Sequence, residues 1–185
     1  MSEINIGDIP DLSGIGDTAT AEPFADGWYQ GTILAKREFV DSTGSDRVFE
    51  SSDEPAQSGN GRNVRLQVEI KRQDGRTLNA STLVNYQTDD LSQATVQAIA
   101  AHREQSGGKN QWGELFRPFM SLMRLGKLQR IAGVRQLQRN GNGGLDLTPL
   151  YGKTAYFKLG PDRRNEQYKE IKDFTEKVGP KVKVL

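Results

Sequence analysis

The residues of this chain that could do chemistry are cations and aromatic rings rather than catalytic groups. Lysine and arginine neutralise phosphates and aromatic faces stack on bases, so the two types together are typical of surfaces that bind a single-stranded nucleic acid. They recur along predicted strands and in the turns between them. The candidate nucleic-acid-binding residues are Trp28, Arg65, Lys71, Arg72, Arg76, Lys153, Tyr156, Lys158, Arg163, Arg164, Tyr168, Lys169 and Lys172.

Several of these residues also have a purely structural interpretation. Trp28 fits better as a cap of the core than as a stacking platform, and Arg163 and Arg164 equally fit a solvated turn. Tyr156 alternates with Phe157 along a strand, so we expect one of the two rings to face solvent. The basic residues that accompany the apolar stripe of a later helix are interpreted as its solvated face. They are Arg117, Arg124, Lys127 and Arg130.

Catalytic and metal-binding constellations are not found in the sequence. The chain has no cysteine, which excludes disulfides, thiolate metal sites and cysteine nucleophiles. Its one histidine, His102, has no partners in the sequence for a catalytic triad or a metal site. Neither of the glycine-rich phosphate-binding motifs, G-x-x-x-x-G-K-[ST] and G-x-G-x-x-G, is present. Asp89 and Asp90 are interpreted as the N-terminal cap of a helix rather than as nuclease carboxylates. We therefore expect a protein that is not an enzyme, with no cofactor and no metal ion.

Charge is distributed unevenly along the chain. Residues 1–27 contain six acids and no lysine or arginine, and since the whole chain carries +1, residues 28–185 carry +7. One interpretation is that residues 28–185 bind a polyanion, while the acidic N-terminal arm competes for that surface or recruits basic partner proteins. The other is a solvated tail beside an ordinarily charged domain, and the sequence leaves both open.

Periodicity predicts five strands and two helical regions that would position the candidate residues. Asp74-Gly75 is the signal of a tight hairpin between the second and third strands. In the first strand, Tyr29, Ile33, Ala35 and Phe39 are predicted to share the inward face. The predicted strands span residues 28–40, 64–71, 77–86, 154–160 and 166–176, and the helices residues 90–104 and 112–131.

The order of these elements, β-β-β-α-β-β, is the order of a five-stranded OB-like barrel with a helical insertion between strands three and four. The absence of sustained βαβ alternation argues against a doubly wound nucleotide-binding fold, while an SH3-like barrel and an open α+β sheet remain alternatives. We predict an acidic flexible arm at 1–26, an OB-like domain at 27–176 and a basic tail at 177–185. The polar stretch at about 41–61 is expected to be a disordered loop or one that orders on a partner.

Four segments carry a resemblance to a known family. They are Gly27-Trp28-Tyr29, residues 125–134, Leu150-Tyr151-Gly152-Lys153 and residues 165–174. On these segments the chain resembles phage-encoded proteins of an uncharacterised-domain type, found beside recombination and replication genes and regarded as OB-like single-strand binders. The acidic arm and the stretch 41–61 depart from that family.

The resemblance implies a non-catalytic, sequence-tolerant single-stranded DNA-binding protein that serves phage replication or recombination in the cytoplasm of an infected bacterium. Replication or recombination proteins would be partners through the acidic arm, and a homo-oligomer is left open. No stretch approaches eighteen apolar residues, so we expect no membrane span. The alternative is a structural or interaction protein, such as a virion component or an inhibitor of a host factor, without affinity for nucleic acid.

Overall fold

The computed structural model describes residues 23–57, 59, 61–87, 92–105, 112–163 and 168–185. Within these ranges the chain is mostly β with two α-helices, and it has eight strands where the periodicity predicts five. The strands are β1 (Gly27–Leu34), β2 (Lys36–Val40), β3 (Asp46–Glu50), β4 (Ser52–Pro55), β5 (Arg62–Lys71), β6 (Thr77–Tyr86), β7 (Thr154–Pro161) and β8 (Lys169–Thr175), and the helices are α1 (Gln93–Gln105) and α2 (Phe116–Ala132).

The main sheet is antiparallel and curls into a half-barrel. Its principal strands lie in the order β6-β5-β1-β7-β8. One edge of β5 is shared by two strands: β4 pairs with its first half and β1 with its second half. The curl brings the two end strands, β6 and β8, to within 8 Å of each other between Cα atoms without pairing them. A seam therefore runs between β6 and β8.

The core lies inside the curl because successive side chains on a strand point to opposite faces. On β5, Val64, Leu66, Val68 and Ile70 are fully buried, as their alternation with polar residues predicts. Gly31 on β1 packs closely against this core. A Cβ atom there would lie 2.9 Å from the Phe157 ring, so the position accepts only glycine without repacking.

Helix α2 closes one end of the core with Leu125, Leu128 and Ile131, which are buried. It ends at Gly133, whose left-handed φ of 74° lets its N–H bond back to the last turn. Helix α1 is attached more loosely, since Ile99 is its only buried residue. The ring of Trp112 links the two helices. Its centroid lies 4.8 Å from that of His102 on α1 and 4.0 Å from that of Phe119 on α2.

The first strand is shorter than the sequence predicts. It ends at Leu34, and after Ala35 the chain leaves the main sheet as β2, so Ala35 and Phe39 are exposed rather than inward-facing. The reason is that β4 already occupies the next part of the β5 edge, where Ser52 pairs with Arg65. Hydrogen bonds from Ser51 to the carbonyl groups of Leu34 and Ala35 hold this branch point.

Where the sequence predicts a disordered loop at 41–61, the structure has strands β3 and β4. β3 pairs with β2 in a two-stranded hairpin outside the main sheet. The hairpin turn is organised by Asp41, whose carboxylate accepts hydrogen bonds from the backbone N–H groups of Thr43 and Ser45. Backbone pairing and such a turn need few apolar side chains, which is why the composition of this stretch gave no strand signal.

The structure confirms the last predicted strand, although its apolar residues are not spaced as in a regular strand. Ile171 and Phe174 are three residues apart, yet both point inward, opposite Leu159 and Phe157. A β-bulge between Lys158 and Leu159 shifts the register at this point, so three residues of β8 match two of β7. Residues 1–22, Asp89 and Asp90 lie outside the described residues.

Candidate nucleic-acid interface

A groove runs across the face of β5 and β6 that points away from the core. Arg65 on β5 and Leu83 on β6 are cross-strand partners at its centre, and both are exposed. Towards the β2–β3 hairpin the groove has a volume of about 310 Å³ and is lined by Phe49 and Arg65. Its middle part, of about 480 Å³, contains Arg65 and Leu83. We call this surface the outer groove.

Towards β8 the outer groove widens to about 770 Å³ and reaches Asp162 and Arg163, which follow β7. Here Arg65 and Leu83 are joined by Arg163 and Lys172. Three of the cations predicted from the sequence, Arg65, Arg163 and Lys172, therefore lie along one surface. Arg65 is the residue that all three parts of the groove share.

The formal charges along the outer groove nearly balance. Lys172 bonds to the carboxylate of Glu170, and Nε of Arg163 lies 4.0 Å from the same carboxylate. Arg65, in contrast, makes no ion pair with any residue in the described part of the chain. Among the described lining residues, the cations are Arg65, Arg163 and Lys172, and the acids are Glu50, Glu54, Asp162 and Glu170. Arg65 is thus the cation most available to a phosphate.

An exposed aromatic pair lies on the β2–β3 hairpin at one end of the groove. The rings of Phe39 and Phe49 are stacked, with centroids 5.2 Å apart and planes 24° from parallel, although 37% and 39% of the two residues is exposed. The Arg37 guanidinium lies 5.4 Å and 5.2 Å from the two ring centroids. Arg47, the register partner of Phe39, bonds to Asp41 at 2.7 Å. Exposed rings beside arginines suit the binding of planar, anionic ligands.

Sequence reasoning missed this Phe39–Phe49 pair. Alternation predicts that Phe39 faces inward on a longer first strand, and Phe49 falls in the polar stretch 41–61, for which the composition predicts no strand. The signal present in the sequence is a repeated Arg-x-Phe tripeptide at residues 37–39 and 47–49. In an antiparallel hairpin this repeat places both rings and both arginines on one face.

Other predicted residues form a second surface on β1, β7 and the far end of β5. Trp28 on β1 is opposite Lys158 on β7, and Gln30 lies between Tyr156 and Lys71. All of these positions point outward, and Trp28 is half-buried because the chain end passes beside it, where Leu185 donates a backbone hydrogen bond to Trp28. The sequence grouped these residues with Arg65, but in the structure Lys71 lies six residues further along β5 than Arg65, and Trp28, Tyr156 and Lys158 lie on β1 and β7.

The two arginines of the β5–β6 turn hold the turn itself. Nε of Arg72 and Nε of Arg76 donate to the same oxygen of Asp74, at 2.7 Å and 3.0 Å. The hydrogen bond from Arg72 lowers the pKa of Asp74 to about 2. Arg72 also lies over the ring of Phe24, 5.6 Å from its centroid. Both cations therefore have structural partners.

The remaining predicted residues are scattered. Lys153 is exposed just before β7, and Tyr168 is exposed just before β8. Lys169 pairs with Asp26 at 2.7 Å and ties β8 to the chain segment that precedes β1. Arg164 lies outside the described residues.

Comparison of the chain with protein-family models, curated proteins and solved structures finds no match. The resemblance to phage single-strand binders therefore stays a prediction. Within the described ranges, no three acidic or histidine side chains come together as a metal site would require. In the same ranges, no helix has the length and apolar character to cross a membrane.

Proposed function

We propose that this protein binds single-stranded DNA without sequence preference and without catalysis, in phage replication or recombination, through an OB-like barrel. The observation that carries the proposal is the exposed Phe39–Phe49 pair, flanked by Arg37, at the end of a groove centred on Arg65. An exposed stacked pair costs hydrophobic free energy in the unbound protein, and covering the pair with bases would recover that cost.

The strand order supports an OB-like arrangement. β1 lies between β5 and β7, β6 extends the β5 side, β8 extends the β7 side, and the helices come between β6 and β7 in the chain. In OB folds the face of the second and third strands, flanked by the loops after strands one and four, holds the ligand. In this chain that face would be β5–β6, and its flanks would be the β2–β3 hairpin and the residues directly after β7, Asp162 and Arg163. The outer groove runs between these two flanks.

The binding would depend more on stacking than on neutralised phosphates. A stacked base contributes about 1–3 kcal/mol, whereas the acids of the outer groove offset its cations. With two or three phosphates neutralised, among others by Arg65, the slope of log K against log salt would be about −1.4 to −2. A single strand would be favoured over a duplex because only unpaired bases can lie against the rings of Phe39 and Phe49.

The test is fluorescence anisotropy of labelled oligo-dT of about 16 nucleotides, a length sufficient for one OB-type site. A duplex of equal length serves as the control, and both are measured at two salt concentrations. We expect clear preference for the single strand and a modest weakening by salt. Equal affinity for both nucleic acids, or no binding at low salt, would contradict the proposal.

The second candidate function is that of an interaction protein without nucleic-acid binding. It is favoured by the apolar surface of α2, on which 56% of Phe116 and 42% of Met123 is exposed. This function predicts no anisotropy change with either nucleic acid.

A further inference from the structure

A second groove lies between α2, β6 and β8, along the unpaired seam of the sheet. Its volume is about 310 Å³. Met120 and Met123 of α2 form one wall, and Ile171 of β8 and Leu83 of β6 form apolar parts of the others. Phe116 extends the same helical side by one turn beyond Met120. We call this surface the α2 groove.

The surroundings of the α2 groove are cationic. Helix α2 carries four cations and no acid, and residues 116–145 together carry six cations and no acid. Arg124 and Lys127 line the groove, with Lys127 paired to Asp173 at 2.6 Å and Arg124 donating to the Asn85 carbonyl oxygen at 3.1 Å. Arg117 is exposed at the Phe116 end. An apolar groove with this rim fits a chain segment that combines carboxylates with aliphatic side chains.

The N-terminal segment 1–22 of this same chain has that composition. It contains five acids and no lysine or arginine, so it carries −5. Its aliphatic residues alternate with the acids over the first fifteen positions. They are Ile4, Ile6, Ile9, Leu12 and Ile15, beside Glu3, Asp8 and Asp11.

The segment has the length to reach the groove. The described chain begins at Pro23, and Phe24 packs against Tyr29 with ring centroids 5.4 Å apart. Twenty-two residues extend to about 70 Å, whereas a compact body of about 160 residues has a radius of gyration of about 15 Å. Because the segment is covalently attached, its effective concentration is about millimolar, so weak contacts suffice for docking.

We propose that the N-terminal segment 1–22 docks in the α2 groove of its own chain. Its aliphatic side chains pack against Met120 and Met123, and its carboxylates lie near Arg117, Arg124 and Lys127. The proposal rests on the apolar and charge complementarity of the two surfaces and does not depend on nucleic-acid binding. Leu83 and Lys172 line both grooves, so a docked segment borders the outer groove.

The sequence allows a direct test in the full chain. There are three methionines, Met1, Met120 and Met123, and no cysteine. Methyl labelling of methionine therefore gives two reporters in the α2 groove, and Ser13→Cys provides a single thiol in the segment for a nitroxide. We expect the Met120 and Met123 signals to lose most of their intensity when the nitroxide is oxidised, compared with the reduced state.

A matched variant and a mixing experiment sharpen the test. Asp8→Asn with Asp11→Asn, carrying the same nitroxide, should restore much of the intensity, and so should high salt, because both remove the charge attraction. Unchanged signals at low salt would overturn the docking, and loss of intensity that neither change relieves would overturn the charge complementarity. Mixing a nitroxide-bearing chain with a separate methyl-labelled chain should leave the signals intact. Signal loss in that mixture would show that the segment docks on a second copy and would overturn docking within one chain.

Discussion

The hydroxyl group of Tyr86 donates a hydrogen bond of 2.6 Å to a carboxylate oxygen of Asp53, whose side chain is fully buried. The same oxygen accepts the backbone N–H of Leu145 at 2.6 Å, and the other oxygen accepts Nε of Arg62 at 2.9 Å. Burial, together with the bond to Asp53, raises the pKa of Tyr86 above its ordinary value. One carboxylate thus connects β4, β5, β6 and the segment before β7.

Replacing Asp53 should be among the most destabilising single changes in the chain. Asp53→Ala leaves Arg62 partly buried without its carboxylate and removes the acceptor of two further bonds, so we expect a loss of about 3–5 kcal/mol. Tyr86→Phe removes one bond to a charged group and should cost about 1.5–3 kcal/mol. Urea unfolding followed by circular dichroism measures both. The control, Asp46→Ala on exposed β3, should change the free energy of unfolding by less than about 0.5 kcal/mol, and an equally small effect of Asp53→Ala would contradict the assigned role.

The pH dependence of the β5–β6 turn follows from Asp74. Its folded pKa of about 2 is below the ordinary 3.8, so the stabilising contribution is complete above 3.8 and is lost as the pH falls towards 2. Carbon-13 NMR of the side-chain carboxyl group measures this titration. Arg72→Gln should move the pKa of Asp74 back towards 3.8, because the hydrogen bond from Arg72 is the main cause of the shift. Lys71→Gln removes a neighbouring cation that makes no bond to Asp74 and should leave the titration unchanged; a titration near 3.8 in the unaltered protein would refute the assignment.

The main sheet could be predicted because its strands alternate apolar and polar residues, as Val64 and Leu66 do beside Arg65. The β2–β3 hairpin could not, because its strands pair through backbone atoms and expose Phe39 and Phe49 on a face that an alternation rule assigns to the core. The register shift at Lys158 likewise has no signature in the sequence of β8 alone.

The sequence predicted the cations of the candidate site but not which of them lie together. Arg65 and Lys172 lie about a hundred positions apart, and only the curl of the sheet brings them to one groove. By residue type, Trp28 and Lys71 were equally good candidates for binding nucleic acid, yet they lie on the outward side of β1 and β5, away from that groove. Which strand ends meet is decided by tertiary packing, so residue type alone could not separate the two surfaces.

Arg65 should contribute the largest share of the salt dependence of DNA binding. Arg65→Gln removes the groove cation that has no ion pair among the described residues, so we expect weaker binding to oligo-dT and a slope of log K against log salt that is smaller in magnitude by about 0.7. Lys158→Gln makes the same kind of change on the β1–β7 surface and should leave both quantities unaltered. Anisotropy titrations at several salt concentrations compare the two variants. A larger effect of Lys158→Gln would place the nucleic acid on the β1–β7 surface instead.

The Phe39–Phe49 pair should matter for binding far more than for stability. Phe49→Ala removes the ring nearest the groove, so affinity for oligo-dT should fall by about 5- to 150-fold, the equivalent of 1–3 kcal/mol of stacking. The free energy of unfolding should change much less, because both rings are exposed and the hairpin lies outside the main sheet. Val40→Ala, at an exposed position on the other face of the same hairpin, is the matched control and should leave affinity unchanged. Since the two rings form one platform, Phe39→Ala combined with Phe49→Ala should weaken binding by less than the product of the single effects. Affinity that survives both changes would show that the rings serve only to brace the hairpin.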